Sequence, residues 1–125
     1  MGETIRVVPH DALEPGPSTA GMVRNTAATT DTLWVGEVRT TPGARSGWHH
    51  HGEHTTYGRV VSGELQFEFG PNGAESVVAR AGDFFVVPPH TVHREGNPGS
   101  EEQVLVGVRV GTGPTVINVE GPESA

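Results

Sequence analysis

The chain has 125 residues, of which 34% are hydrophobic and 18% charged, and this composition fits one compact domain with a single core. A formal net charge of −7, with the eight Lys and Arg residues dispersed along the chain, argues against nucleic acid and anionic membrane surfaces as partners. The longest apolar stretch, 84–89, is too short to span a bilayer and the N-terminus lacks signal-peptide features, so we expect a cytoplasmic protein.

The predicted elements are all strands. Eighteen glycines and ten prolines divide the chain into segments too short for ordinary helices, and apolar and polar residues alternate with period 2. We predict an irregular arm over residues 1–30, a β-barrel over 31–120 and a frayed tail over 121–125. Strands are predicted at 32–40, 56–61, 64–69, 77–78, 84–87, 104–110 and 115–119. The expected fold is therefore an all-β barrel or sandwich.

Two segments show the alternation most clearly. In segment 64–69 apolar and polar residues alternate, which predicts one face in a core and one in water. Segment 104–110 has valine at every second position, which predicts a second core-facing row. Asn72 and Gly73 tolerate the positive φ values of a tight turn, so a β-hairpin is expected after 64–69.

Histidines are concentrated in two stretches of the barrel. Six of the seven lie between positions 49 and 93, in GARSGWHHHGEH (43–54) and GDFFVVPPHTVH (82–93). His49 and His51 share one face of a strand and can chelate one ion, while His93 would arrive from a distant strand. Because the chain has no cysteine, any metal must be held by imidazole and oxygen. This pattern favours a divalent transition metal, namely iron, zinc, nickel or copper.

The two stretches resemble the conserved motifs of the small single-domain cupins. The first motif is matched at its characteristic spacing by Gly43, His49, His51 and Gly63, with Thr56 where the family has glutamate. The second is matched by Gly82, Pro88, His93 and Asn97, with His90 where the family has glycine. The resemblance covers positions 43–97. It implies an antiparallel double-stranded β-helix, or jelly-roll barrel, with a metal held by His49, His51 and His93.

Thr56 removes the anionic ligand of the family pattern. A site of three histidines would leave the full positive charge on the ion, which favours an anionic or chelating substrate. His54 is a candidate fourth ligand, and water, Thr56 itself or Glu53 are the alternatives. The scarcity of carboxylates argues against magnesium and calcium.

Further residues are candidates for contact with a substrate. Glu95 has the strand parity of His93, so it would orient a ligand or accept a proton; a solvated strand end is the alternative. The side chains that could contact substrate through ring faces or a guanidinium–carboxylate pair are Tyr57, Arg59, Trp34 and Trp48. For the two tryptophans, packing is the alternative.

These observations predict a metal-dependent enzyme that acts on a small oxygenated organic molecule. With iron the expectation is a dioxygenase, and with zinc or nickel an isomerase, lyase or cyclase. A non-catalytic metal- and ligand-binding domain is the alternative. The motifs of serine hydrolases and nucleotide-binding enzymes are absent from the sequence. Exposed sheet edges favour a homodimer, with the 1–30 arm as a segment that could be exchanged.

Overall fold

The computed structural model describes residues 4–124, which form two β-sheets and one short 3-10 turn at His10–Ala12. The strands are β1 Glu14–Pro15, β2 Met22–Thr29, β3 Leu33–Thr40, β4 His49–His50, β5 Thr55–Ser62, β6 Glu64–Phe69, β7 Glu75–Arg80, β8 Phe84–Val87, β9 His93–Gly96, β10 Gln103–Val110 and β11 Ile117–Asn118. Across this described range, no helix has the length and apolar character needed to cross a membrane.

The two sheets are antiparallel and face each other. The six-stranded sheet has the order β1-β2-β3-β10-β5-β8, and the five-stranded sheet has the order β11-β4-β9-β6-β7. The chain passes repeatedly from one sheet to the other, which is the arrangement of a jelly roll. The predicted fold class is therefore confirmed. The predicted segments 64–69 and 84–87 coincide with β6 and β8.

The turn between β6 and β7 has the predicted geometry. Asn72 and Gly73 have φ values of 56° and 69°, a conformation that asparagine and glycine tolerate better than other residues. The Gly73 N–H donates to the Gly70 carbonyl at 2.9 Å and closes the turn. The hairpin therefore fixes the register of these two strands.

The described parts of the predicted arm and tail make regular backbone contacts with the rest of the structure. Residues 1–3 and 125 lie outside the described residues. Within the predicted arm, β2 pairs with β3 along nearly its whole length and buries Met22. The sequence of β2 shows no alternation of apolar and polar residues, because the face of β2 that points between the sheets carries polar residues, including Arg24. In the predicted tail, the Glu123 carbonyl accepts a hydrogen bond from the Asn72 N–H at 2.7 Å, which ties the segment to the hairpin.

The hydrophobic core lies between the sheets, and its buried members are Val60, Leu65, Phe67, Val87 and Leu105. Near it, the motif residue Asn97 is buried and has a structural role. Its side-chain amide donates to the carbonyls of Thr40 and Glu101, and its oxygen accepts from the Gly99 N–H. These bonds secure the segment that connects β9 to β10.

The predicted core-facing row of valines on β10 is wrong for most of the strand. Val104 is buried, but after the register shift between Val104 and Leu105 the row turns outward: Val106 and Val110 are 42% and 41% exposed, whereas Leu105 packs in the core. Arg109 has the parity of Leu105 and therefore points between the sheets. The valine pattern is misleading because the outer face of this sheet is also apolar. This reversal brings an arginine into the interior.

Three glycines form a row across the six-stranded sheet. Gly36, Gly107 and Gly58 lie side by side on β3, β10 and β5. A Cβ at Gly36 would overlap the ring of Trp34, and a Cβ at Gly58 would overlap the ring of Phe85. The row therefore makes room for two aromatic rings on the inner face.

Candidate metal centre

Three histidines and one glutamate converge between the two sheets. One ligand atom from each of His49, His51, His93 and Glu95 can be chosen so that all four lie within 4.8 Å of one another. His49 on β4 is directly opposite His93 on β9, and His51 and Glu95 follow two residues later on the same face. The five-stranded sheet therefore supplies every donor of this group.

The backbone holds each imidazole with the same nitrogen toward the centre. The Nδ1 atoms of His49, His51 and His93 lie 2.9, 2.7 and 2.8 Å from the carbonyl oxygens of Gly47, Thr115 and Thr91. Because a carbonyl only accepts, each Nδ1 carries a proton, and the neutral ring has its lone pair on Nε2.

The His93 side chain gives a direct test of whether a metal fits. His93 is 1% exposed, and its Nε2 is buried without a hydrogen-bond partner. A buried lone pair without a partner is costly, and a cation would satisfy it. Rings held at Nδ1 with Nε2 free are typical of metal-bound histidines. The residues present therefore fit a divalent transition metal.

Two of the histidines are held neutral by their surroundings. Burial, the largest influence, and the charge of Arg109 lower the pKa of His51 to about 3. Burial also lowers the pKa of His93, despite the opposing effect of Glu95. Both rings therefore offer a lone pair at neutral pH without first losing a proton.

His49 and Glu95 form a charge pair, with Nε2 and Oε1 3.6 Å apart. Burial lowers the pKa of His49, but Glu95 and the Gly47 carbonyl raise it more, so the net shift is upward. Burial raises the pKa of Glu95, but the interactions with His49 and His93 outweigh it and the pKa falls to about 2. The Glu95 carboxylate is therefore ionised, and the sequence expectation of a centre without an anionic group is corrected.

Two of the other candidate fourth ligands, His54 and Glu53, lie apart from this group. The His54 Nε2 donates to the Gly113 carbonyl at 3.1 Å, and the ring is outside the four converging groups. Glu53 is on the surface, where its carboxylate lies 2.9 Å from the His90 Nε2. Thr56 faces inward from β5. Glu95, which the sequence indicates as a residue that orients a ligand or accepts a proton, is the fourth member of the converging group.

Tyr57 and Arg59 are not near the centre. Alternation along β5 turns Thr56 and Gly58 inward and places Tyr57 and Arg59 on the outer surface. The Arg59 guanidinium lies 5.9 Å from the centroid of the exposed Phe84 ring. The expectation that these two residues contact substrate is therefore corrected.

The two tryptophans also occupy different surroundings. Trp48 packs beneath Arg94, whose guanidinium carbon is 4.6 Å from the ring centroid. Trp34 lines the interior space beside the centre. Of the two, only Trp34 lies where it can contact a ligand in that space.

A cavity of about 630 Å³ opens beside the centre, within the range of small-molecule binding sites. His49, His51, Trp34 and three arginines, Arg24, Arg45 and Arg109, contribute to its wall. A smaller cavity of about 40 Å³ is lined by Arg24 and Arg109 and also by Thr56 and Glu95. None of these arginines was predicted from the sequence. Arg109 alternates with Val108 and Val110 along β10, and this alternation could have indicated that the arginine faces the opposite side of the sheet from the valines.

Comparison with known proteins identifies the same fold. A family model described as "Cupin domain" matches residues 36–109. A conserved protein from Klebsiella pneumoniae with a double-stranded β-helix domain has a TM-score of 0.73 and 23% identity, and the match covers 94% of this chain and 99% of that one. No curated protein sequence matches the chain.

Two further solved structures are similar to this chain. KdgF from Halomonas sp. has a TM-score of 0.69 and 26% identity, over 84% of this chain and 94% of that one. A variant of the oxalate decarboxylase OxdC from Bacillus subtilis has a TM-score of 0.69 and 23% identity, over 85% of this chain but 30% of that one. Another OxdC structure is described as having Mn(II) centres.

Proposed function

The chain belongs to the cupin family, and we propose that it is a metal-dependent enzyme that binds a small oxygenated organic molecule between its two sheets. The observation that carries this proposal is the convergence of three Nδ1-anchored imidazoles and one ionised carboxylate beside a cavity of about 630 Å³. A site of this kind combines metal donors with space for a ligand.

His49, His51, His93 and Glu95 would hold the ion, and their nitrogen and oxygen donors suit manganese, iron, zinc, nickel or copper. When bound, the metal supplies either a Lewis acid or a redox centre. The backbone carbonyls keep the rings oriented, and the buried Glu95 carboxylate offsets part of the positive charge. Trp34 and the rest of the wall exclude water from one side of the ligand.

Two reaction classes are compatible with this centre. We favour a dioxygenase-like oxidoreductase, in which iron provides the redox chemistry and the cavity holds an organic substrate beside it. The alternative is an isomerase, lyase or cyclase, in which the ion would act as a Lewis acid and not as a redox centre.

The reaction class can be tested with metal-free protein reconstituted separately with each candidate ion. Oxygen consumption with catechols, thiols or β-diketones, seen only in the iron form, is the expected result. Turnover in the zinc form without oxygen would contradict the dioxygenase assignment and support the alternative. Metal-dependent thermal stabilisation with no turnover of any substrate class would indicate a non-catalytic metal- and ligand-binding domain.

We also propose that the protein is a homodimer, because the outer face of the six-stranded sheet exposes apolar side chains near its β8 edge. Phe84 and Val86 on β8 are 78% and 60% exposed. Light scattering should give twice the chain mass of 13.2 kDa, and Phe84→Ser should shift the protein toward monomer. Val77→Ser, at an exposed site on the other sheet, is the matched control. A monomeric wild type would refute this proposal.

A further inference from the structure

Arg109 is an interior cation without a hydrogen-bonding partner in the described part of the chain. Its Nε atom is buried and unpaired, and none of the carboxylates in residues 4–124 lies within 4.0 Å of its guanidinium. Burial lowers the pKa of Arg109 and the nearby charge of Glu95 opposes this shift, so the guanidinium remains charged. Arg109 therefore faces one carboxylate across the smaller cavity without a direct ion pair, and its buried Nε–H still lacks an acceptor.

A second unsatisfied group lies beside Arg109. Thr56 is its direct neighbour across the β10–β5 pair, and the Thr56 hydroxyl is also buried without a partner. Both residues line the cavity of about 40 Å³, together with His51 and Glu95 from the opposite sheet. This volume exceeds the about 10–15 Å³ that a cavity needs to hold one water molecule, so it suits a small polar group. The space left by threonine in the glutamate position is therefore polar and adjoins the metal donors.

Arg24 adds a second positive charge to the same wall. It lines both cavities, and its hydrogen bond to the Pro17 carbonyl, at 3.3 Å, leaves its charge unneutralised. Arg45, in contrast, is paired with Glu68 at 3.3 Å. Arg24 and Arg109 face one carboxylate, Glu95, across the smaller cavity, so the charges of these three residues sum to +1. In a chain with a net charge of −7, this local excess of positive charge indicates a site for an anion.

We propose that Arg109, Thr56 and Arg24 form a subsite for a carboxylate group of the ligand, and that a second oxygen of the same ligand reaches the metal centre. The ligand class is therefore a small organic carboxylate with a second oxygen function. A carboxylate fits because the planar guanidinium can donate two parallel hydrogen bonds to it, and because the space beside Thr56 is small. This inference rests on the proposed function only for the metal end of the ligand.

Calorimetric titration of malonate into metal-free and zinc-loaded protein tests the subsite. We expect malonate to bind in both forms, and Arg109→Gln to weaken binding about ten- to a hundredfold, because charge-assisted hydrogen bonds are lost. Thr56→Val should weaken it less, and Arg109→Lys should retain part of the affinity. Arg80→Gln, which removes the same charge at an exposed position on β7, is the matched control. If Arg109→Gln does not fold, the lysine and valine variants still test the subsite.

The outcomes separate this inference from the proposed function. Zinc uptake by the wild type without malonate binding, or with equal binding to Arg109→Gln, would overturn the carboxylate subsite and leave the metal centre standing. Malonate binding that depends on Arg109 in a protein that takes up no metal would support the subsite and refute the proposed function. Tighter binding of inorganic phosphate than of malonate would overturn the assignment of a carboxylate.

Discussion

His93→Ala is expected to reduce bound metal from near one ion per chain to background. His93 supplies a buried Nε2 with no other partner, and it links β9 to the histidines of β4. Loss of an outer group that merely orients a metal ligand costs about 10- to 100-fold in affinity, so loss of the ligand itself should cost at least about 100-fold. Metal content should be measured by mass spectrometry on protein purified without an affinity tag.

His90→Asn is the matched control for that experiment. His90 belongs to the same histidine-rich stretch, but its ring is on the surface beside Glu53. Its φ of 58° is one that asparagine tolerates, so the backbone should be unaffected. Wild type and His90→Asn should be stabilised by added metal, by about 2.7 kcal/mol at 100 times Kd. Full metal content in a folded His93→Ala variant would contradict the centre described here.

Glu95→Gln is expected to lower metal affinity by about 10- to 100-fold while leaving the fold intact, which is less than the loss of a ligand because the amide oxygen remains as a neutral donor. The substitution keeps the size of the side chain but removes the one carboxylate among the converging donors. In metal-free protein it should also lower the pKa of His49, because burial still disfavours the charged ring and the opposing carboxylate is gone. Metal titration and an NMR pH titration of the His49 ring measure the two effects.

Glu75→Gln is the matched control, since it removes a carboxylate from an exposed position on β7. It should change neither the metal affinity nor the pKa of His49. If Glu95→Gln bound metal as tightly as wild type but lost turnover, Glu95 would act on the substrate rather than on the ion. That result would return Glu95 to the proton-accepting role that its strand parity suggests. Unchanged metal affinity and unchanged activity would remove Glu95 from the site altogether.

Much of the fold follows from local patterns in the sequence. The alternation in β6, the Asn72 and Gly73 turn and the glycine-bounded segment of β8 all depend on neighbouring residues, and each is found as predicted. The convergence of His49, His51 and His93 could also be predicted from the sequence. Strand parity places the first two on one face, and the family motif supplies the third.

The remainder depends on which face of each strand is buried. On β10 Val106 and Val110 face outward although Val104 is buried, so the sequence pattern does not indicate that Arg109 points inward. On β2 apolar and polar residues do not alternate, so the sequence does not indicate that Arg24 points inward. Glu95 was visible as a candidate, but its distance from the histidines depends on the pairing of β4 with β9. Contacts of this long-range kind cannot be obtained from the spacing of residues in one segment.

The glycine row of the six-stranded sheet limits where larger side chains could be introduced into the wall of the cavity. Added methyl groups at Gly36 and Gly58 would collide with aromatic rings, but at Gly107 the nearest atom is 3.7 Å away in the Trp34 ring, an ordinary contact distance. Gly107 is therefore the position in this row where a small side chain could narrow the cavity. The converging side chains His49, His93 and Glu95 belong to the other sheet, and His51 directly follows its strand β4, so they would be untouched. The six-stranded sheet could thus vary the width of the cavity while the five-stranded sheet keeps the proposed metal ligands in place.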